Sequence, residues 1–282
     1  MNGSFTAGWT PMAVAVCALA LALVWRAGLV LSDARSVRRD YARAGAYRPG
    51  RGWTGPDALA AECRRAASGL LLGVALPCAA FLPPGRCWGA AATLLCCSAA
   101  LWPTLGYGRL RQARYTTVCL LVLAAAVALG AALVLLRVPR SAQVTGGFAS
   151  FFAAQLYLVA GARKLRSRHF MSGRVLVDNA AYNACQAATG SRDFLPVPGP
   201  RRLTALLAGP AFPAACRAAA VLTAAGELAL GLGALGVVPA ASTLALAVPS
   251  HLAFTAVSPR RIVPFSALAF GLLVLATSHP LL

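Results

Sequence analysis

Apolar residues in this chain neither alternate nor trace a narrow helical stripe. They come in long runs, at 11–32, 67–84, 88–106, 116–136, 148–165, 214–237, 241–257 and 263–281. Most of these approach the roughly 17–25 residues with which a helix crosses about 30 Å of hydrocarbon. Ala, Leu, Val and Gly dominate them, and the lack of a period-two pattern argues against a β-barrel. Backbone groups in lipid must pair within their own segment, which leaves helices. The pattern predicts an all-α, polytopic membrane helical bundle of about eight transmembrane helices plus interfacial helices. One integral membrane domain then accounts for residues 1–282, with four spans in 1–147 and the remainder in 148–282.

The polar breaks refine this picture. Residues 33–56 are rich in Arg, Tyr and Gly and read as a loop on the headgroups, with Trp53 at interface depth. Pro56-Asp57 opens a helix running through Arg64 and Arg65 into the second span. Pro83-Pro84-Gly85 makes a tight turn. In the longest connection, 166–213, the mixture of Phe170, Val175, Leu176, Val177 and Tyr182 with Arg174, Asp178 and Asn183 suits an interfacial helix. Leu195–Pro200 breaks it, and the short apolar piece 203–212 leads into the next span. An ordered elbow there could close a site from one side.

Composition agrees, with 59% apolar and only 12% charged residues, against about 25% charged in a soluble domain. The net charge of +19 invites a nucleic-acid reading, which the map of the charges removes. Segments 33–65, 107–115, 163–213 and 258–262 hold 21 of the 26 basic residues, whereas the opposite loops hold Arg86, Arg137 and Arg140. By the positive-inside rule the basic loops are cytoplasmic and both termini lie outside, in the inner (plasma) membrane of a bacterium. Anionic headgroups at the cytoplasmic face, not nucleic acid, are the expected partner of these arginines. Residues 1–10 carry no positive charge and the run 11–32 is long for a signal peptide, so the first span is expected to be retained. Nine cysteines include no CxxC pair, and six lie inside the runs as small polarizable filler.

Charges within spans are expensive, about 2.5–3.5 kcal/mol at the centre on insertion scales, and so mark function. Arg26 and Arg217 lie near span ends and can snorkel. Lys164 is the only lysine beside 25 arginines. An amine can release its proton and act as base or nucleophile, which a guanidinium cannot do. Ser150, Ala153, Tyr157, Ala160, Gly161 and Lys164 share one helical stripe of small and polar residues, which faces a neighbouring helix or cavity. Glu227 lies mid-span among Cys216, Ala220, Thr223, Ala224, Gly231 and Ala234. A carboxylate there must pair with a cation, accept hydrogen bonds or hold its proton. His251, with Thr255 one turn on, can exchange a proton near neutral pH. Each of the three can equally serve as an interhelical bond that fixes packing, and Lys164 as a positive-inside anchor. Three such groups on neighbouring C-terminal spans predict one shared polar centre. No metal-ligand spacing is present.

Gln155-Leu-Tyr-Leu-Val-Ala-Gly161-Ala-Arg-Lys164-Leu165 followed by Phe170-Met-Ser-Gly173 resembles the signature segment of the HTTM (horizontally transferred transmembrane domain) superfamily, which includes vitamin K-dependent γ-glutamyl carboxylase. The resemblance covers about 148–275, including Pro249-Ser-His251-Leu. It implies a catalytic role for Lys164, with Glu227 and His251 beside it. It also implies cofactor-binding positions at Gln155, Tyr157 and Gly161, next to a quinone or another lipid-soluble cofactor. Small bacterial members, including the membrane helper of a sporulation-delaying toxin system, are the nearer model in size and imply a peptide-maturation factor with a small peptide substrate. The DoxX and MauE types share the Gly-x-x-Lys-Leu ending. They imply the alternative of a non-catalytic membrane partner or accessory subunit.

Overall fold

The computed structural model describes residues 9–44, 56–81, 88–106, 114–188, 200–209, 211–257 and 262–279. All regular structure among them is helical. The helices are α1 (Trp9–Ala44), α2 (Pro56–Ala80), α3 (Trp88–Gly106), α4 (Arg114–Leu135), α5 (Ser141–Arg166), α6 (Arg168–Met171), α7 (Arg174–Ala188), α8 (Pro200–Ala208), α9 (Phe212–Leu235), α10 (Ala240–Val257) and α11 (Val263–Ser278). The Pro83-Pro84-Gly85 turn and the break at 195–199 lie outside the described residues.

By length and composition, four helical segments can cross a membrane: Pro11–Ser32, Tyr115–Leu135, Ser141–Arg166 and Phe212–Leu235. Ala240–Thr255 and Val263–Ser278 are shorter apolar helices. One expectation needs correction. The Arg-rich segment after the first run is not a loop from residue 33, because α1 continues as helix to Ala44 over 36 residues. Between Gly28 and Gly45 there is neither Gly nor Pro, and Ala and Arg favour helix. At 1.5 Å per residue α1 is about 54 Å long, well beyond the hydrocarbon thickness.

The chain forms two compact units, residues 1–145 with 267–271 and residues 146–266 with 272–282. In the first, α1 meets α2 and α4 while α3 meets α2 and α4, so these helices close on one another. Val16, Leu19, Leu23, Leu76, Leu120, Leu123 and Val127 fill the interior. A Cβ on Gly73 would lie 2.6 Å from Val24 Cγ2 and 3.0 Å from Ala20 O, so glycine lets α1 and α2 approach. Arg26 does not snorkel. It is buried, and it donates from Nη2 to Thr117 Oγ1 on α4 at 3.0 Å. Glu62, also buried, accepts from Arg65 Nη1 at 3.1 Å one turn along α2.

The second unit is built on α5 and α9. A Cβ on Gly161 would meet Leu228 Cγ at 2.9 Å and Ala224 O at 3.2 Å, and one on Gly231 would meet Leu158 Cγ at 2.6 Å. Small residues on both helices thus bring their backbones together, as is usual where no hydrophobic force separates helix from lipid. Ser150 donates to Ala276 O of α11 at 3.1 Å. After Arg166 the chain turns sharply. The Ser167 side chain caps α6 by accepting from Phe170 N at 3.2 Å, and Gly173 (φ +79°) starts α7. α7 packs against α8, α9 and α10, so residues 174–188 form an ordered helix of the elbow. α9 ends in a Schellman turn, with Gly236 (φ +94°) donating to Gly233 O at 3.0 Å and Val237 to Leu232 O at 3.1 Å.

Candidate functional site

The inner stripe of α5 is set by helical periodicity. Ser150, Ala153, Tyr157 and Gly161 are buried and Lys164 is half-buried at its end. Phe151, Gln155, Val159, Arg163 and Arg166 follow the opposite face and are exposed. Gln155 is therefore not brought together with Tyr157 and Gly161, from which the helix turns it away. Gly161 serves the close passage of α5 past α9 through its missing side chain.

Lys164 Nζ donates to Glu227 Oε1, joining the end of α5 to the middle of α9. The two side chains keep only 23% and 20% of their surface exposed, so the pair is largely withdrawn from its surroundings. Phe170, from the short helix after the turn, lies with its ring centroid 5.4 Å from Lys164 Nζ, a cation–π approach. The ammonium is thus held by a carboxylate on one element and an aromatic face on another. Glu227 Oε2 is buried and has no hydrogen-bond partner among the described residues. In a low-dielectric setting, an unpartnered carboxylate oxygen is a costly feature unless a donor reaches it.

Turn geometry holds Phe170 in place. A Cβ on Gly173 would fall 2.5 Å from Arg217 N and 2.7 Å from Cys216 C, so the elbow rests directly on the backbone of α9. Its positive φ and this contact both demand glycine. Arg217 itself is exposed. On α7, Asp178 lies 3.7 Å from His169 Nε2, both largely exposed, an outer contact of the elbow.

His251 does not join Lys164 and Glu227. Its Nε2 lies 2.7 Å from Tyr157 Oη, with the rings edge to face. One turn on, Thr255 Oγ1 donates to His251 O at 2.7 Å and lies 3.1 Å from Ser266 Oγ on α11. Where the sequence led us to expect a single polar centre, two pairs stand on the α5 stripe. Tyr157 and Lys164 are about 10 Å apart along the axis, roughly two turns. The Lys164–Glu227 pair holds a proton that a third group could take or return, and Tyr157–His251 can pass one between phenol and imidazole. Among the described residues no group of three or more His, Cys, Asp or Glu side chains could hold a metal ion.

The sequence supplied the residues and not their partners. The pairing of Tyr157 with His251 depends on how α10 sits against α5, which no local spacing encodes. Phe170 and Gly173 stood in the motif, yet only the reversal at Ser167 brings the ring back over Lys164. No family model, no curated protein and no solved structure matches this chain.

Proposed function

We propose that the chain is a multi-pass protein of a bacterial inner membrane, with about eight spans and both termini outside. The Lys164–Glu227 pair then works as a proton-handling centre on a lipid-soluble or peptide substrate, in the manner implied by the sequence resemblance to the HTTM superfamily. Six long or shorter apolar helices and the uneven distribution of basic residues support the membrane part. The observation that carries the rest is the half-satisfied carboxylate. Glu227 meets the sole lysine through Oε1 and leaves Oε2 open to a donor. Phe170 and the elbow cover the lysine, and Tyr157–His251 supplies a second exchangeable proton on the same stripe. A quinone or comparable lipid-soluble cofactor suits this apolar setting.

The test is a pair of variants in cells that co-express a small candidate peptide substrate, with the product read by mass spectrometry. Lys164→Arg keeps the charge and the contact with Glu227 but releases no proton, and Lys164→Ala loses both. A catalytic centre loses product with either variant, and the decisive loss is that of Lys164→Arg, which still inserts and purifies normally. Full product from well-inserted Lys164→Arg protein would sink the proposal.

A second reading, a non-catalytic membrane partner, has its own support in the packing of Gly161 and Gly231. In that reading the ion pair sets the register of α5 against α9, and arginine substitutes freely for Lys164.

A further inference from the structure

Among the described residues of the second unit the acids are Asp178 and Glu227, and both have partners, His169 at 3.7 Å and Lys164. Two arginines have none. Arg174 and Arg217 are exposed, and neither side chain makes an ion pair or hydrogen bond with a described residue. Folding nevertheless sets them side by side. A Cβ on Gly173 would lie 2.8 Å from Arg217 Cα, and Arg174 follows Gly173 by one Cα step of about 3.8 Å. The two arginine Cα atoms are thus within about 8 Å of each other. Arg217 lies seven residues before Ala224 and eleven before Leu228, the α9 residues that meet Gly161, so it continues the α5-facing stripe past the end of α5. Arg174 opens α7, and a helical side chain leans toward the N-terminus of its own helix, here back over the Gly173 turn. Both guanidinium groups therefore flank the place where the elbow rests on α9.

Two guanidinium groups on backbones this close, with no acid joining them, repel each other unless an anion bridges them. We propose that this junction binds the headgroup of a phosphomonoester lipid, of the phosphatidate kind, with its phosphate bridging Arg174 and Arg217. A phosphomonoester carries roughly 1.5–2 negative charges at pH 7, which match the two guanidinium groups. Its oxygens accept paired N–H bonds from each planar fork. A phosphodiester headgroup offers a single charge. Asp178 shares the exposed stripe of Arg174 one turn on, and its contact is with His169. Exposed Tyr182 on α7 and Leu206 on α8 give the elbow an apolar flank for the acyl chains. General attraction of arginines to anionic headgroups chooses neither between lipids nor between arginines, whereas this site chooses both. A phosphate held there ties the elbow to α9 just after Phe170 and so steadies the ring over Lys164. The inference rests on the membrane reading and holds whether or not Lys164 is catalytic.

The test titrates the full chain, purified in detergent, with phosphatidate or with phosphatidylglycerol of the same acyl chains, and counts bound lipid by native mass spectrometry. One phosphatidate should bind about tenfold more tightly than phosphatidylglycerol. Arg174→Gln and Arg217→Gln should each weaken it by about tenfold. Arg163→Gln removes an exposed charge from the outer face of α5 near the same end, and should leave binding unchanged. In phosphatidylcholine nanodiscs, added phosphatidate should slow amide exchange across residues 170–176. Equal binding of the two lipids, or equal losses from all three variants, would mean diffuse attraction and overturn the site. Displacement by excess inorganic phosphate would mean a soluble ligand and overturn the lipid, and unchanged exchange would overturn the tie to the elbow. A chain that stays out of nanodiscs fails the membrane reading, whereas one that inserts and binds no phosphatidate sinks this site alone.

Discussion

A lone lysine among arginines matters here because of what it touches. With Glu227 it forms a pair mostly removed from solvent, and removing one member leaves the other charge uncompensated. We expect Lys164→Ala to destabilise the protein in nanodiscs by about 3–5 kcal/mol, as is typical of a broken buried pair. Lys164→Met with Glu227→Leu should recover most of that loss. Thermal unfolding of the three variants checks this, and a double variant as unstable as Lys164→Ala would contradict the pairing. The glycines make a separate prediction at this scale. Gly226→Ala, which meets nothing, should raise stability by up to about 1 kcal/mol. Gly161→Ala and Gly173→Ala should lower it, since each new methyl meets backbone and Gly173 has φ +79°. Arg137 occupies the left-handed position of the α4 Schellman turn (φ 52°), donating to Val134 O at 3.1 Å while Val138 donates to Leu133 O at 2.9 Å. Gly236 fills the same position on α9. Arg137→Gly should therefore stabilise by about 1 kcal/mol, read as a rise in Tm. An unchanged or lower Tm would count against the strain.

Elements show where sequence reasoning held and where it stopped. Periodicity marked the stripe from Ser150 to Lys164, because burial on a helix follows its 3.6-residue turn whatever the neighbour. The same arithmetic applied to Gln155 would have put it on the outer face, but the motif drew it into the site. The end of α1 was misread because arginines suit both a headgroup loop and a helix leaving the bilayer, and only the absence of a breaker before Gly45 separates them. In the elbow, composition signalled a helix over 170–189, and the structure has α6, the Gly173 turn and then α7. Since α7 packs on α9 and α10, its amides from the second turn onward should exchange slowly in nanodiscs. Exchange there as fast as in a free peptide would mean that the elbow does not cover the site.

Across the whole molecule, the apolar runs made helicity legible, and among the described residues four helices are long and apolar enough to cross a membrane where about eight spans were expected. Grouping into two compact units was not legible, because residues 267–271 and 272–282 of one continuous segment fall to different units. The chemistry was legible as a set of residues and illegible as an arrangement. Lys164, Glu227 and His251 stood out by cost in lipid, while their division into Lys164–Glu227 and Tyr157–His251 came from tertiary packing. For topology, a reporter fused after Leu282 that works only outside the cytoplasm should be active, as should one near residue 5. Cytoplasmic signals from both would invert the orientation. The most direct measurement of the central claim exploits the single lysine. Protein labelled with nitrogen-15 lysine and placed in bilayers should give one side-chain amine resonance. The account predicts that Glu227→Gln shifts it while Asp178→Asn, which lies at His169, leaves it unmoved. A resonance indifferent to Glu227→Gln would show that Lys164 and Glu227 do not form the pair on which the site depends.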